Sequence, residues 1–317
     1  MSAEVTKEQV IAYFDSLSNW GRWGDDDRIG TLNLITPDVR RRAARLVETG
    51  EVVSLSYDID PENPDPLLSG IARVQRFMGL GEASHHMGKR RFDAVTDFVG
   101  IAAHGGNTHL DGLAHYSWDG KNYNGFDVNE STSLGGATKL SMHFAHEGII
   151  SRGVLLDICA LHGVEWLEQG HAIEPEELVA AEERQGVRVE SGDVLLVHTG
   201  DAARTLAHGR VAEPGQPAGQ AGLRATCLPF LRERDIAALG MDAIQDVQPS
   251  GFRTLDLLRP IHAVSLVALG LWLIDNMHLT DLARICAERE RSAFFFSMLP
   301  WRMVGVTSCA TNPVALF

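Results

Sequence analysis

The twelve-residue segment HGGNTHLDGLAH, from His104 to His115, contains three histidines and one aspartate. Imidazole nitrogens and carboxylate oxygens are the protein ligands that bind Zn²⁺ and Mn²⁺ well. In an extended segment, side chains two residues apart lie on the same face, so His109 and Asp111 can bind one ion together. The segment therefore predicts a metal site with bound water, which an ion of this kind activates for attack on a carbonyl.

The other two histidines of the segment need separate arguments. His104 precedes His109 by five residues, which would place it on the opposite face of a regular strand, but the Gly-Gly-Asn stretch between them can bulge and restore the face. His115 follows Asp111 by four residues, and we expect it to transfer protons because imidazole titrates near neutral pH. The alternative is that these histidines are hydrogen-bonded structural residues near strand ends.

The elements before the segment are predicted from periodicity. Residues 6–17 have apolar side chains at the helical period, and residues 36–49 have a Thr-Pro start and a following glycine that are typical of a helix. The stretch over residues 51–59 alternates like a strand. Residues 93–104 are predicted to form a strand that ends at the first histidine.

The elements after the segment indicate an α/β domain. The runs GVLLDI, DVLLVHTG and AALGMDAI predict short strands, with a helix at EPEELVAAEERQ between the first two. The C-terminal apolar stretch, interrupted by Pro300 and Gly305, predicts one or two final strands. We expect a single domain over residues 1–317 with a helical, tryptophan-rich extension over about residues 1–50.

Charge and composition narrow the class of partner. The formal net charge of -14 argues against nucleic acid and anionic membranes, both of which attract basic surfaces. The N-terminus does not resemble a signal peptide, and no uncharged apolar run approaches the roughly 20 residues that span a bilayer. Four widely spaced cysteines fit ordinary buried thiols in a reducing compartment. We therefore expect a cytoplasmic protein whose partner is a small molecule.

The His-rich segment resembles the motif of the metal-dependent cyclase-like hydrolases, a family that includes bacterial kynurenine formamidase and isatin hydrolase. The family motif is approximately H-x-G-T-H-x-D-x-x-x-H. Four residues are in register with it: Thr108, His109, Asp111 and His115. The family's first histidine falls at Gly105, so His104 is displaced by one residue. The segments NWGRWGDDDRIGTLN, DGKNYNG, SRGVLLDI and NPVALF are also similar to family segments.

The resemblance implies a mixed-sheet swivelling β/β/α domain that holds one or two Zn²⁺ or Mn²⁺ ions per chain. The implied metal ligands are His104, His109 and Asp111, with His262 and Asp275 in the place of the family's later ligands. It also implies that His115 acts as acid and base. Family members often have a longer side chain where this chain has Asp275, which leaves the number of ions open.

Four of the candidate site residues have plain structural alternatives. Taken alone, His262 would be a core or capping residue, and Asp275 would belong to a turn or a helix cap. Trp23 and Trp118 are predicted to form an aromatic wall of the substrate pocket, although a buried tryptophan is commonly just part of a core.

The predicted activity is hydrolysis of a C–N amide-type bond in a cyclic amide, imide or lactam, or in an N-acyl arylamine, because the family cleaves such bonds. The alternatives are a lactone hydrolase, a metal-dependent lyase or dehydratase, and an inactive homologue that binds a metal or ligand. The resemblance also implies a homodimer or a homotetramer.

Overall fold

The computed structural model describes residues 5–60, 74–78, 95–209, 219–252 and 257–317. The α-helices are Lys7–Ser16 (α1), Pro37–Ala44 (α2), Ile158–His162 (α3), Pro175–Gln185 (α4), Asp201–His208 (α5), Leu228–Arg234 (α6), Pro260–Val264 (α7) and Thr280–Glu288 (α8). The π-helical turn Ser265–Leu269 follows α7, and 3₁₀ segments lie at Gly30–Leu34, Tyr123–Gly125, Val128–Glu130, Met142–Ala145 and Ala225–Cys227.

The strands fall into one large sheet and three small ones. Their bounds are Val52–Ser54 (β1), Gln75–Met78 (β2), Asp97–Gly100 (β3), His109–Asp111 (β4), Ser131–Thr132 (β5), Gly136–Ala137 (β6), Ile149–Asp157 (β7), Ala172–Ile173 (β8), Val194–His198 (β9), Gly222–Leu223 (β10), Ala238–Met241 (β11), Trp272–Asp275 (β12), Ala293–Met298 (β13), Ser308–Ala310 (β14) and Val314–Leu316 (β15). The large sheet has the order β1-β15-β13-β7-β9-β11-β12-β4-β14.

The centre of the large sheet is parallel, and both sides are antiparallel. Strands β7, β9, β11 and β12 run parallel, whereas β4 joins β12 in the antiparallel direction. Every residue of β9, β11 and β12 is buried. Parallel strands that are covered on both faces are continuous apolar runs. This is why strands β7, β9 and β11 are correctly predicted from the sequence. The helix predicted between β7 and β9, α4, is also present.

The first helices show the strength and the limit of local signals. The Thr6 side chain caps α1, and Thr36, at the predicted Thr-Pro start, caps α2 by accepting a hydrogen bond from the N–H of Val39. The prediction that this second helix reaches residue 49 is wrong, because α2 ends at Ala44. The N–H groups of residues 49 and 50 instead donate to the carbonyl of Phe317, a contact with the far end of the chain.

Two strand predictions also need correction. Strand β3 pairs with β2 in a separate hairpin, and irregular chain separates it from His104. The C-terminal stretch forms three strands rather than one or two, because the break after β13 is followed by β14, a short irregular stretch over residues 311–313, and then β15.

The prediction about the cysteines agrees with the structure. All four are buried and none forms a disulfide, as expected for ordinary thiols. Within the described ranges, no helix combines the length and apolar character that a membrane crossing requires.

Candidate metal centre

Strand β4 brings His109 and Asp111 to one face of the large sheet. It lies between β12 and β14, and its register places His109 directly opposite Asp275. His109 Nε2 is 3.5 Å from Asp111 Oδ1 and 3.8 Å from Asp275 Oδ2. All three side chains are buried. Antiparallel pairing therefore joins two ligands from the local motif to a carboxylate more than 160 residues away in sequence.

The orientation of the His109 ring is fixed from behind. Its Nδ1 lies 2.7 Å from the carbonyl oxygen of Asn107, so the ring nitrogen that carries the proton is Nδ1. Nε2 is then an acceptor that faces the carboxylates. A hydrogen bond of this kind commonly orients a metal-binding histidine.

The Gly-Gly-Asn loop does return His104 to the cluster. His104 Nδ1 lies 3.0 Å from His109 Nε2 and 3.2 Å from Asp111 Oδ1. The loop is held by Asn276, whose side-chain amide donates to the carbonyl of Gly105 over 3.4 Å. The displacement by one residue from the family motif thus leaves His104 beside the other candidate ligands.

His262 is positioned by the start of helix α7. Pro260 occupies the first helical position, where it lacks an N–H, and the Asp246 carboxylate accepts from the N–H groups of Ile261 (2.7 Å) and His262 (3.2 Å). The His262 Nδ1–H also donates to Asp246 over 2.6 Å. A carboxylate at a helix N-terminus is favoured by unpaired N–H groups and by the helix dipole.

This capping leaves one ring nitrogen of His262 for the cluster. Its Nε2 lies 3.4 Å from Asp275 Oδ2 and 3.7 Å from Asp111 Oδ2. The side chain is fully buried. The structure therefore brings His262 and Asp275 together with the His-rich segment, although neither is near it in sequence.

His115 lies at the same cluster. Its Nε2 is 3.8 Å from Asp111 Oδ2, and its ring centre is 3.9 Å from that of His104. The side chain keeps 18% of its surface exposed, whereas Asp111 is fully buried. Its distance from Asp111 is nearly that of His262, so geometry alone does not separate a proton carrier from a ligand.

Unsatisfied buried atoms show that this cluster fits a cation. Among the described residues, five of its buried atoms have no hydrogen-bond partner: Asp111 Oδ1, Asp111 Oδ2, Asp275 Oδ1, His115 Nε2 and His262 Nε2. Leaving a buried polar atom unpaired costs roughly 1–3 kcal/mol. A divalent ion would satisfy several of these atoms together.

The cluster contains two overlapping sets of ligand atoms. One set combines His104, Asp111 and His115, and the other combines His109, Asp111 and Asp275, with the atoms of each set within 4.8 Å of one another. Both sets contain Asp111, whose two oxygens face different neighbours. The donor chemistry, imidazole nitrogen with carboxylate oxygen, suits Zn²⁺ and Mn²⁺.

Charges within the cluster are strongly coupled. Burial, followed by the charge of Asp275, raises the pKa of Asp111 to about 7. Burial also raises the pKa of Asp275, but the adjacent His262 outweighs this effect and the net pKa is lowered. Burial lowers the pKa of His262, but Asp275 and Asp246 outweigh this effect, and the pKa is raised above its ordinary value. Protons therefore compete with any cation for these atoms.

The pKa values of His104 and His115 shift in the direction opposite to that of His262. Burial is the main cause that lowers the pKa of His104 to about 4 and that of His115 to about 3, and neighbouring histidines add to it. Both rings are therefore neutral at neutral pH, and each has a nitrogen that can accept a proton or bind an ion.

The two tryptophans make their ring contacts with the N-terminal segment. Trp118 stacks on Phe14 of α1, with ring centres 4.3 Å apart, and the Arg22 guanidinium lies 4.8 Å from the centre of the Trp23 ring. The aromatic ring that the structure places against the cluster is that of Tyr116, 5.6 Å from His262. A pocket role for either tryptophan stays a prediction.

Sequence reasoning missed Asp246 and Gln245. The Gln245 side chain donates to the carbonyl of Ile274 over 3.1 Å, and its hydrogen bond to Asp275 helps lower the pKa of that carboxyl. Both residues follow β11 at no fixed spacing from the histidines. The usable signal was Pro260 at a helix start, which indicates unpaired N–H groups that a carboxylate can cap.

The chain is similar to known proteins in its sequence and in its fold. The model of the Cyclase family, described as "Putative cyclase", matches residues 53–245, more than half of the chain. The chain belongs to the Cyclase family. The match includes the His-rich segment of the family motif and ends before His262. No curated protein matches the sequence significantly.

Several proteins of known structure share the fold of this chain. A crystal structure of a novel cyclase is 27% identical, with a TM-score of 0.83, and the match covers 95% of this chain and 100% of that one. An isatin hydrolase bound to the product analogue thioisatinate is 16% identical, with a TM-score of 0.57 and coverages of 84% and 92%. Isatin hydrolase A from Labrenzia aggregata, bound to benzyl benzoate, is 17% identical, with a TM-score of 0.57 and coverages of 84% and 93%.

The family match confirms the predicted family, and the solved structures confirm the predicted fold class. The large mixed sheet with helices, expected as a swivelling β/β/α domain, is the fold that this chain shares with the novel cyclase and the isatin hydrolases.

Proposed function

We propose that this chain is a metal-dependent hydrolase that opens a C–N amide-type bond of a small molecule. The observation that carries the proposal is the buried cluster of imidazoles and carboxylates, five of whose atoms have no hydrogen-bond partner among the described residues. A polar network left unsatisfied in a protein interior is unfavourable unless another group completes it. The group that best fits these donors is Zn²⁺ or Mn²⁺.

The residues that would hold the metal are those whose free nitrogen or oxygen faces the cluster: His104, His109, Asp111, His262 and Asp275. Asp111 belongs to both sets of ligand atoms, so it would be a ligand whether one ion or two ions bind. When bound, such an ion polarises a carbonyl and lowers the pKa of water.

The protein's own groups prepare the site before any substrate binds. The Asn107 carbonyl and the Asp246 carboxylate each accept a hydrogen bond from the Nδ1–H of one histidine, so Nε2 is the nitrogen of each ring that faces the cluster. His115, neutral at neutral pH, would accept a proton from water at a ring nitrogen and return it to the departing nitrogen. An amine then leaves in its neutral form.

A cavity adjoins the exposed side of the cluster. Its volume is about 490 Å³, and His104 lies in its wall together with small side chains such as Ala102, Thr132 and Ser308. Small-molecule sites are commonly concave and of about 300–1,000 Å³. The cavity therefore has room for a substrate of modest size next to the reacting atoms.

The fold neighbours guide the choice of substrate to test first. Isatin, after which two of the fold neighbours are named, is a cyclic amide, and hydrolysis of its ring yields a carboxylate. Cyclic amides, imides and lactams are accordingly our first substrate class, and N-acyl arylamines are the second.

Incorporation of solvent oxygen into the product distinguishes a hydrolase from the alternative, a lyase or dehydratase. In H₂¹⁸O, a hydrolase incorporates one solvent oxygen into the new carboxylate, whereas a lyase or dehydratase releases product without it. A panel of cyclic amides, arylamides and lactones, followed by mass spectrometry, would separate amide from lactone cleavage. Turnover without ¹⁸O would refute hydrolysis, and bound metal without turnover on the panel would favour an inactive binding protein.

A further inference from the structure

A second group of metal-binding side chains lies outside the metal centre. His162 is the last residue of α3, His171 lies directly before β8, and Glu177 is in the first turn of α4. We call these three residues the His-His-Glu cluster. His162 Nε2 lies 2.6 Å and His171 Nε2 lies 3.0 Å from the same carboxylate oxygen, Glu177 Oε1.

The surrounding backbone holds these side chains in place. Glu177 Oε2 accepts from the N–H of Glu174 over 2.8 Å in a capping box, so Oε1 remains to face the imidazoles. Gly163 ends α3 directly after His162 with a φ of 69°, a conformation that glycine adopts without strain. The carbonyl of His171 accepts from the N–H of Gly222, which fixes the His171 backbone against β10.

Two imidazoles and one carboxylate are the protein ligands of a three-residue zinc site. Their ligand atoms lie within 4.8 Å of one another, and the ring centres of the two histidines are 5.2 Å apart. Tetrahedral bonds of about 2.0–2.1 Å place ligand atoms roughly 3.3 Å apart. The two contacts with Glu177 Oε1, now 2.6 and 3.0 Å, would therefore lengthen by about 0.7 and 0.3 Å to admit an ion.

Exposure and charge favour a hydrated divalent cation. The His162, His171 and Glu177 side chains are 38%, 30% and 20% exposed, so water can complete the coordination. With neutral imidazoles the group carries one negative charge. From this geometry we propose that the His-His-Glu cluster is a second metal site that binds Zn²⁺ or a similar borderline cation such as Ni²⁺ or Cu²⁺, independently of the metal centre.

Bound metal would connect the end of α3 to the first turn of α4. These two helices already pack against each other, and a shared ion adds a link that the unfolded chain does not make. Ligands that bind the folded state alone stabilise it. We therefore expect Zn²⁺ to raise the melting temperature through this site as well as through the metal centre.

The test compares four variants of the full chain. His162→Gln and His171→Gln each remove one ligand, His109→Ala disrupts the metal centre, and His146→Gln is the matched control because His146 is also an exposed histidine beside a carbonyl. Zn²⁺ per chain is measured by elemental mass spectrometry after equilibrium dialysis, and the affinity is measured by chelator competition. Bound Cu²⁺ is examined by electron paramagnetic resonance for nitrogen ligands.

We expect His162→Gln and His171→Gln each to lose one equivalent of Zn²⁺ that His109→Ala and His146→Gln retain. The affinity at this site should weaken by at least the roughly 10- to 100-fold that follows loss of an outer-shell partner. Unchanged stoichiometry and affinity in both His162→Gln and His171→Gln would overturn the proposal.

The variants also separate this proposal from the proposed function. Metal that is lost in His109→Ala alone would leave the metal centre standing and reject the His-His-Glu cluster. Metal that is lost only in His162→Gln and His171→Gln would support the His-His-Glu cluster and reject the metal centre. If a histidine variant does not fold, as judged by circular dichroism, Glu177→Gln decides the question because it keeps the side-chain shape and removes the charge.

Discussion

Replacing Asp246 by asparagine should weaken metal binding although every candidate ligand is kept. The Asp246 carboxylate accepts hydrogen bonds from the Ile261 N–H, the His262 N–H and His262 Nδ1, at 2.7, 3.2 and 2.6 Å. In Asp246→Asn, one oxygen can still cap the helix, but an NH₂ group faces the ring. His262 then accepts at Nδ1 and carries its proton at Nε2, which is the atom that faces Asp111 and Asp275.

The size of this effect follows from the role of such partners. Loss of an outer-shell hydrogen bond to a metal-binding histidine typically weakens metal affinity about 10- to 100-fold, which corresponds to roughly 1.4–2.8 kcal/mol. The helix cap is partly kept, so the free energy of unfolding should fall by no more than the ~0.5–2 kcal/mol of a lost N-cap. Metal affinity is measured by chelator competition, and stability is measured by urea unfolding of the metal-free protein.

Asp242→Asn is the matched control for this variant. Asp242 is also a buried carboxylate that accepts from the N–H groups of Thr199 and Gly200 at the start of a helix, at 2.9 and 2.7 Å. Its loss should reduce stability and leave metal affinity as in the wild type. Wild-type metal affinity in Asp246→Asn, or an equal loss in Asp242→Asn, would refute the argument that Asp246 sets the His262 tautomer.

Three further predictions concern a proton carrier, a buried ion pair and a close packing contact. His115→Gln should lower kcat about 10²- to 10⁴-fold with metal content kept, as measured by elemental analysis; metal loss would make His115 a ligand. Burial lowers the pKa of His198, but its hydrogen bond to Asp157 and the nearby Asp242 charge outweigh this and raise it. Protonated His198 therefore stabilises the fold fully below the unfolded pKa near 6.5, and this contribution is lost as pH rises through the folded pKa. His198→Gln should remove that pH dependence from urea-unfolding curves; an unchanged curve would contradict it. Gly153→Ala should destabilise the sheet by about 1–3 kcal/mol in the same assay, because a Cβ there would lie 2.2 Å from the ring of Phe294. Wild-type stability in this variant would show that the ring can move aside.

The sequence predicts the site best where local periodicity decides geometry. His109 and Asp111 are two residues apart in a strand, so their shared face follows from the backbone alone. The buried parallel strands and α4 follow from continuous apolar runs and a capping box in the same way. The length of α2 could not be obtained locally, because the chain after Ala44 turns to meet the carbonyl of Phe317.

Contacts between distant segments account for what sequence reasoning left open. The return of His104 depends on a loop conformation that Asn276 holds from another strand end. The importance of Asp246 depends on helix α7 being placed with its open N–H groups over that carboxylate. Neither relation has a fixed spacing in the chain, so no motif length could reveal it.

The architecture also implies that metal binding and closure of the sheet are coupled. One part of the cluster lies in the His104–His115 segment, and the other lies at His262 and at Asp275, the last residue of β12. These parts meet only when β4 pairs with β12 in the register that sets His109 opposite Asp275. An unfolded chain must close a loop of more than 140 residues to bring them together, an entropic cost that the folded sheet has already met. A cation that binds both parts therefore stabilises this end of the sheet, and a change that weakens the β4–β12 pairing should weaken metal affinity even where every ligand is kept.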